Sequence, residues 1–180
     1  YDDKLVEQGR NFANKIWNAF RLVKGWEIDP KLDGSVNSSS IEWFENRFNQ
    51  ALAEINDHFE KFRISDALMT TYKLVWGDFC SWYLEMIKPE YQKPIDQATY
   101  NKTIELFEDI LKILHPFMPF ISEEIWHQIK ERSVEDSLIL AEWPEVKSFN
   151  TKITEEAAQI FEVVSQIRNL RASKGMSPKE

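Results

Sequence analysis

Apolar side chains recur at spacings of three and four along most of the chain, and the pattern predicts one helix after another. From Lys4 to Lys24, Leu5, Gly9, Phe12, Ile16, Phe20 and Val23 share a face, and Gly25 stands where a helix-ending glycine belongs. The polar stretch "EIDPKLDGSVNSSS" reads as a loop. Ser39 then opens a second helix, with Glu42 completing a capping box and Phe44, Phe48, Ala51, Leu52, Ile55 and Phe59 on the inner face. After a short bend Ser65 can cap a third helix that buries Leu68, Tyr72, Val75, Trp76, Phe79 and Tyr83. That helix ends near "KPEYQKP", because each proline pushes the residue before it out of the helical region.

A fourth helix is predicted from Gln97 to Leu114, with Ile104, Phe107, Ile110, Leu111 and Leu114 inward. It runs into "LHPFMPFISEEIW", where two prolines interrupt an apolar run. A proline inside a helix costs about 3 kcal/mol. Pro116 is therefore expected to end one helix and Pro119 to start the next, where a missing N–H is harmless. Phe117, Met118, Phe120 and Ile121 are expected to keep this corner inside the core, and Glu123 and Glu124 to lie near the positive helix start. The stretch "SLILAEWPEV" reads as an extended strap rather than a paired strand. A last helix is predicted from Thr154 to Ser173, with Ala157, Phe161, Val164, Ile167 and Leu170 inward and Gly175 after it. The expected fold class is all-α, a helical bundle forming a single domain over residues 1–180.

Composition agrees with a packed helical core: 43% of the residues are hydrophobic, 13% are aromatic, and there are only 5 glycines. One cysteine, Cys80, excludes an internal disulfide and a thiolate metal cluster. No apolar run approaches the ~20 residues of a membrane span. The opening "YDDKLVEQGR" does not read as a signal peptide, so a reducing, cytoplasmic setting is expected. Catalytic groups are scarce. Glu123 and Glu124 are adjacent, so on a helix they point about 100° apart and cannot face one another as an acid–base pair. His115 reads as a corner histidine, His58 and His127 have no partners at metal-ligand spacing, and Cys80 lies among aromatics as a small core residue. The chain contains no glycine-rich phosphate loop. If the chain belongs to an enzyme, the active site is expected elsewhere.

Charge changes the picture. The net charge is −8, yet Gln8 to Gly25 carries Arg10, Lys15, Arg21 and Lys24 with no acid, and Val163 to Lys179 carries Arg168, Arg171, Lys174 and Lys179 with none. These windows contribute +8, which leaves −16 for the rest, the distribution of a polyanion-facing patch on an acidic body. Chance clustering on solvated faces is the alternative. Opposite the apolar face of the first helix, Arg10, Asn14, Asn18, Arg21 and Lys24 fall in one sector, with Trp17 at its border and Lys15 on its flank. Arginine and lysine pair with phosphates, asparagine can donate and accept at base edges, and an exposed tryptophan can stack on an unpaired base. An ordinary solvated face is the competing reading, though such a face usually includes glutamate and this one has none.

The segments "GRNFANKIWNAFRLV", "FEKFRISDALMTTYKLVWGDFCSWYLEMIKP", "LHPFMPFISEEIW", "AEWP" and "IRNLRASKGMSP" resemble, in order and over nearly the whole chain, the anticodon-binding helical domain of class I aminoacyl-tRNA synthetases. The pattern is shared by the valyl, isoleucyl, leucyl and methionyl enzymes. The wording of "GRNFANKIWNAFR" and "DFCSWYLEMIKP" is similar to the valyl branch. The class I catalytic signatures "HIGH" and "KMSKS" are absent, so the chain looks like a domain excised from a longer enzyme, its last residues a truncated continuation. The resemblance implies a bundle that docks on the anticodon stem-loop of valine tRNA, with the catalytic domain of the same polypeptide as its other partner and no membrane. It implies no cofactor in this stretch, and ATP with Mg at the distant site where the parent enzyme would join valine to tRNA. The RNA-binding residues would be Arg10, Asn14, Lys15, Trp17, Asn18, Arg21 and Lys24 on the first helix and Arg168 and Arg171 on the last. An isoleucyl or leucyl enzyme, or a helical protein-interaction module, stands as the alternative.

Overall fold

A computed structural model of the chain describes residues 3–176, the side chain of Leu5 excepted. Lys179 therefore lies outside the described residues, as does the expected burial of Leu5. The helices are α1 (Asp3–Lys24), α2 (Ser38–Glu60), α3 (Ile64–Tyr72), α4 (Leu84–Ile87), α5 (Gln97–Leu114), α6 (Pro119–Ile129) and α7 (Thr151–Ser173). A π-helical stretch, Lys73–Tyr83, joins α3 to α4. The only paired strands among the described residues are two-residue segments, β1 (Ile28–Asp29) and β2 (Ile95–Asp96), which lie parallel and fasten the ends of two connections together. The chain is all-α, as its periodicity predicts.

The core forms where α2, the π-helical stretch and α5 converge. Phe44, Phe79, Tyr83 and Phe107 are fully buried, with ring centroids 4.8 Å apart for Phe44 and Tyr83 and 5.1 Å for Phe79 and Phe107. Aromatic pairs at these separations add about 0.5–1.5 kcal/mol beyond the area they bury. The Tyr83 hydroxyl, which cannot be buried without a partner, meets Thr103 Oγ1 at 3.0 Å. Phe12, Ile16, Ala19, Phe20 and Val23 dock α1 onto this core, while Gly9 is exposed with open space around it.

Several helix ends differ from the expectation. Ser39 does not cap α2. A 3₁₀ turn at Gly34–Asn37 precedes the helix, and Asn37 occupies the cap position without a side-chain cap bond. The Asn37 side chain instead reaches Asp96 and Thr99 at 3.4 and 3.3 Å, pinning this connection to the start of α5. Asp96, itself buried, caps α5 by accepting from Thr99 N at 2.7 Å. Gly34 packs against the same carboxylate so closely that a Cβ there would lie 2.7 Å from its oxygen. The third helix starts two residues earlier than a Ser65 cap would place it, at Ile64, with Arg63 at its cap and no side-chain cap bond. Small Ala67 and Thr71 face inward there, which lets α3 lie close against α2. Leu68 is exposed as a result, and Tyr72 and Trp76 are half-buried rather than buried.

The helix does break at the two prolines: α5 ends at Leu114 and α6 begins with Pro119 in its first turn. The corner is not inside the core, however. Phe120 is 90% exposed, Phe117, Met118 and Ile121 are half-buried, and both prolines are exposed or nearly so. Glu123 does not serve the helix start. Its carboxylate reaches forward to accept from Leu138 N at 3.0 Å and Ser137 Oγ at 2.9 Å, anchoring the next connection. The strap opens with a 3₁₀ turn, Leu138–Leu140, and then runs unpaired along α2. Three α2 asparagines hold it: Asn56 Oδ1 accepts from Trp143 Nε1 (3.0 Å), Asn49 Oδ1 from Lys147 N (2.7 Å) and Asn46 Oδ1 from Asn150 N (2.6 Å). Asn150 in turn caps α7, which begins three residues earlier than expected. Ala157, Phe161 and Val164 of α7 are half-buried, but Ile167 and Leu170 are 53% and 61% exposed, so its second half extends past the core.

Candidate nucleic-acid interface

With the apolar face of α1 buried, the opposite face is fixed outward, since turning it inward would bury three cations at prohibitive cost. Arg10, Asn14, Asn18, Arg21 and Lys24 are all exposed. The structure thus brings five of the expected residues onto one open stripe of a 22-residue helix. Arg10 meets Glu7 at 3.1 Å, both side chains being largely in water. Such a surface pair contributes about 1 kcal/mol or less, little enough for a phosphate to displace the carboxylate. Arg21 and Lys24 fall in the last turn of the helix, at the negative end of its dipole, where cations are favoured.

Lys15 and Trp17 are placed differently. Lys15 is half-buried, with Nζ 5.6 Å from the centre of the Trp76 ring. Trp17 is half-buried too and packs against the core, its ring 5.4 Å from that of Phe20, so it does not stand free as a stacking platform. In the second window Arg168 lies over the Trp82 ring at 5.3 Å, and Trp82 stacks on Phe161 at 4.0 Å and 9°. Arg171 is half-buried and Lys174 exposed. Cations from both windows therefore rest on tryptophans of the same π-helical stretch, Lys15 on Trp76 and Arg168 on Trp82. The periodicity of the sequence could not reveal this. In the wider turn the hydroxyl of Ser81 donates to Trp76 O at 2.8 Å, five residues back, and each tryptophan leaves the core-facing register while keeping one ring face for a cation.

Burial pushes the Cys80 thiol up to about 12, so no reactive thiolate forms near neutral pH. His115 Nδ1 is 2.8 Å from Ser122 Oγ, and His127 pairs with Glu123 at 3.1 Å. No three histidine, cysteine or carboxylate side chains among the described residues gather as metal ligands. No helix among them is long and apolar enough to cross a membrane.

Comparison with known proteins gives this geometry its context. Residues 42–180 match the family described as "Anticodon-binding domain of tRNA ligase". Relatives extend the likeness over α1 as well. The chain is 51% identical over 180 residues to the valine--tRNA ligase of Christiangramia forsetii, covering 99% of this chain and 20% of that protein. It is 49% identical to that of Phocaeicola vulgatus, covering 100% of this chain and 21% of the relative. It is 37% identical over 191 residues to that of Fusobacterium nucleatum, covering 99% and 21%. The chain spans about a fifth of the length of the curated relatives it matches. With the matched region running from the second turn of α2 past the end of α7, the chain belongs to the anticodon-binding domain family of the tRNA ligases.

Proposed function

We propose that the chain recognises the anticodon stem-loop of valine tRNA on behalf of a valine–tRNA ligase. In that reading the catalytic domain of the same polypeptide joins valine to the tRNA with ATP and Mg, and this bundle positions the substrate. The observation that carries it is the outer stripe of α1, where Arg10, Asn14, Asn18, Arg21 and Lys24 are all exposed and no acid intervenes between Gln8 and Gly25. The paired likeness to valine--tRNA ligases over 99% of the chain supports the choice of amino acid. On the stripe, Asn14, Asn18 and Arg10 offer hydrogen bonds to base edges, and Arg21 and Lys24 neutralise phosphates. Lys15, Trp17, Arg168 and Arg171 form the flanks of the same RNA surface, with Lys15 and Arg168 oriented by the tryptophans beneath them.

The test is charging by the full-length protein of valine tRNA against an anticodon-swapped variant. Asn14→Ala or Arg10→Ala should narrow the preference by about 1–3 kcal/mol if base edges are read. Lys24→Ala should weaken both tRNAs alike. Variants that discriminate as well as the unmodified protein would assign the stripe to solvent.

A further inference from the structure

Two corners of the bundle meet at one end. α2 turns into α3 through Lys61–Arg63 and α5 turns into α6 through His115–Met118, and the rings of Phe59 and Phe117, stacked at 5.9 Å and 13°, tie one turn to the other. At the first corner Arg63 N donates to His58 O at 2.8 Å and Phe62 N to Phe59 O at 3.0 Å, closing the helix. The residue these bonds enclose takes left-handed backbone, a position that ordinarily belongs to glycine. Here it is Phe62, at φ 56°, with its side chain 88% exposed. A bulky side chain in a disfavoured backbone region, touching little of its own protein, is poorly explained by folding of the bundle.

The second corner presents Phe120, and the segment folded over α6 adds Val134, Ile139 and Leu140, each more than seven-tenths exposed. Phe120, Val134 and Ile139 line one cleft with Glu123 and Glu124, and Ile139 also lines an adjoining cleft of about 430 Å³ floored by Pro116 and Trp143. Summed over the two corners, two phenyl rings and three aliphatic side chains expose on the order of 600 Å² of apolar surface, as much as the largest single patches of free-standing proteins.

We propose that this corner end is the face on which another domain of the same polypeptide docks; the inference rests on reading the chain as one part of a longer ligase. The relatives are about five times as long as this chain, which supplies the occupant. An apolar area of this order matches the smaller within-chain domain interfaces, for which roughly 600–1,500 Å² is usual. The charged groups within the clefts argue against RNA here: Glu123 and Glu124 would repel phosphates, and the one lysine, Lys112, is already paired with Asp109 at 2.9 Å. A protein surface with an apolar centre and a basic rim is the complement.

Hydroxyl-radical footprinting of the full-length polypeptide, read at each side chain by mass spectrometry, tests this without any substitution. Each residue's rate in the urea-unfolded polypeptide is its reference. Phe62, Phe120 and Ile139 should react roughly tenfold more slowly in the folded protein, as side chains in a desolvated interface centre do. That protection should be the same with and without tRNA and at every protein concentration. Rates close to the unfolded reference would overturn the proposal. Protection that appears only with tRNA would assign the face to RNA, and protection that grows with concentration would assign it to a second copy; either overturns it too. Loss of the valine-tRNA reading would show in the charging assay and leave this footprint unchanged.

Discussion

Phe62 illustrates how one residue can serve the assembled protein at the expense of the bundle. Left-handed backbone costs a residue bearing a Cβ about 1–2 kcal/mol, and glycine returns part of that through the freedom of its unfolded chain. With a side chain 88% exposed, Phe62→Gly removes almost no buried surface. The substitution should therefore stabilise this chain by about 0.5–1 kcal/mol in urea unfolding. In the full-length polypeptide the gain should vanish, because the ring is then needed at the interface. Glu123 makes the opposite kind of contribution. Burial raises its pKa, but hydrogen bonds from Leu138 N, Ser137 and His127 outweigh that and hold it below its ordinary 4.5. A carboxylate whose folded pKa is depressed stabilises the fold fully above its unfolded pKa and loses that contribution as the pH falls through the folded value. Glu123→Gln should accordingly destabilise at pH 7, and its deficit relative to the unmodified chain should shrink steadily below about pH 4.5 in unfolding titrations.

At the scale of elements, α1 and α5 could be read from the sequence to within a residue, because long amphipathic patterns with clear stops leave one helical phase. The break at Pro116 and Pro119 was equally legible, since proline sterics are local. What the pattern could not give was the covering of each apolar face. Leu68 and Phe120 look like core residues to a periodicity argument, yet small Ala67 and Thr71 take the inner face of α3, and Phe120 lies outside the turn. The stripe of α1 was legible as exposed because its charges leave no alternative. The tryptophan seats under Lys15 and Arg168 were not, because they depend on contacts between segments some 60 to 90 residues apart in sequence. The same holds for the asparagine clasp, in which residues 46, 49 and 56 hold a strap about 90 to 100 residues later. Each such bond contributes about 1 kcal/mol, and breaking two releases the strap before the bundle. Asn46→Ala with Asn49→Ala should raise amide exchange at Lys147 and Asn150 well above the unmodified rate while α5 stays protected. Equal exchange at both positions would mean the strap is held by its apolar contacts alone.

For the whole molecule the proposed tRNA binding raises the question of how a chain of net charge −8 would hold a polyanion. Most acids are elsewhere: the end of α1 holds Arg21 and Lys24 with no acid between Gln8 and Gly25, and Arg168 adds a cation on the Trp82 ring of the π-helical stretch. Long-range attraction falls off within about 10 Å at 0.1 M salt, so a phosphate at this surface senses the local cations more than the distant carboxylates. Binding should then depend steeply on salt, with a log–log slope near −0.9 for each phosphate neutralised on a duplex stem and about −0.7 on unpaired strand. Arg21→Ala and Lys24→Ala should each lower the steepness by roughly 1, for cognate and anticodon-swapped tRNA alike, as expected for phosphate contacts. Asn18→Ala should leave the slope unchanged and alter only the difference between the two tRNAs, because a neutral amide releases no counterions. Titrations of full-length protein with tRNA between 50 and 200 mM salt separate the two roles. If Arg21→Ala and Lys24→Ala keep the full slope, the phosphates lie on some other face of the bundle and the stripe of α1 does not touch the stem.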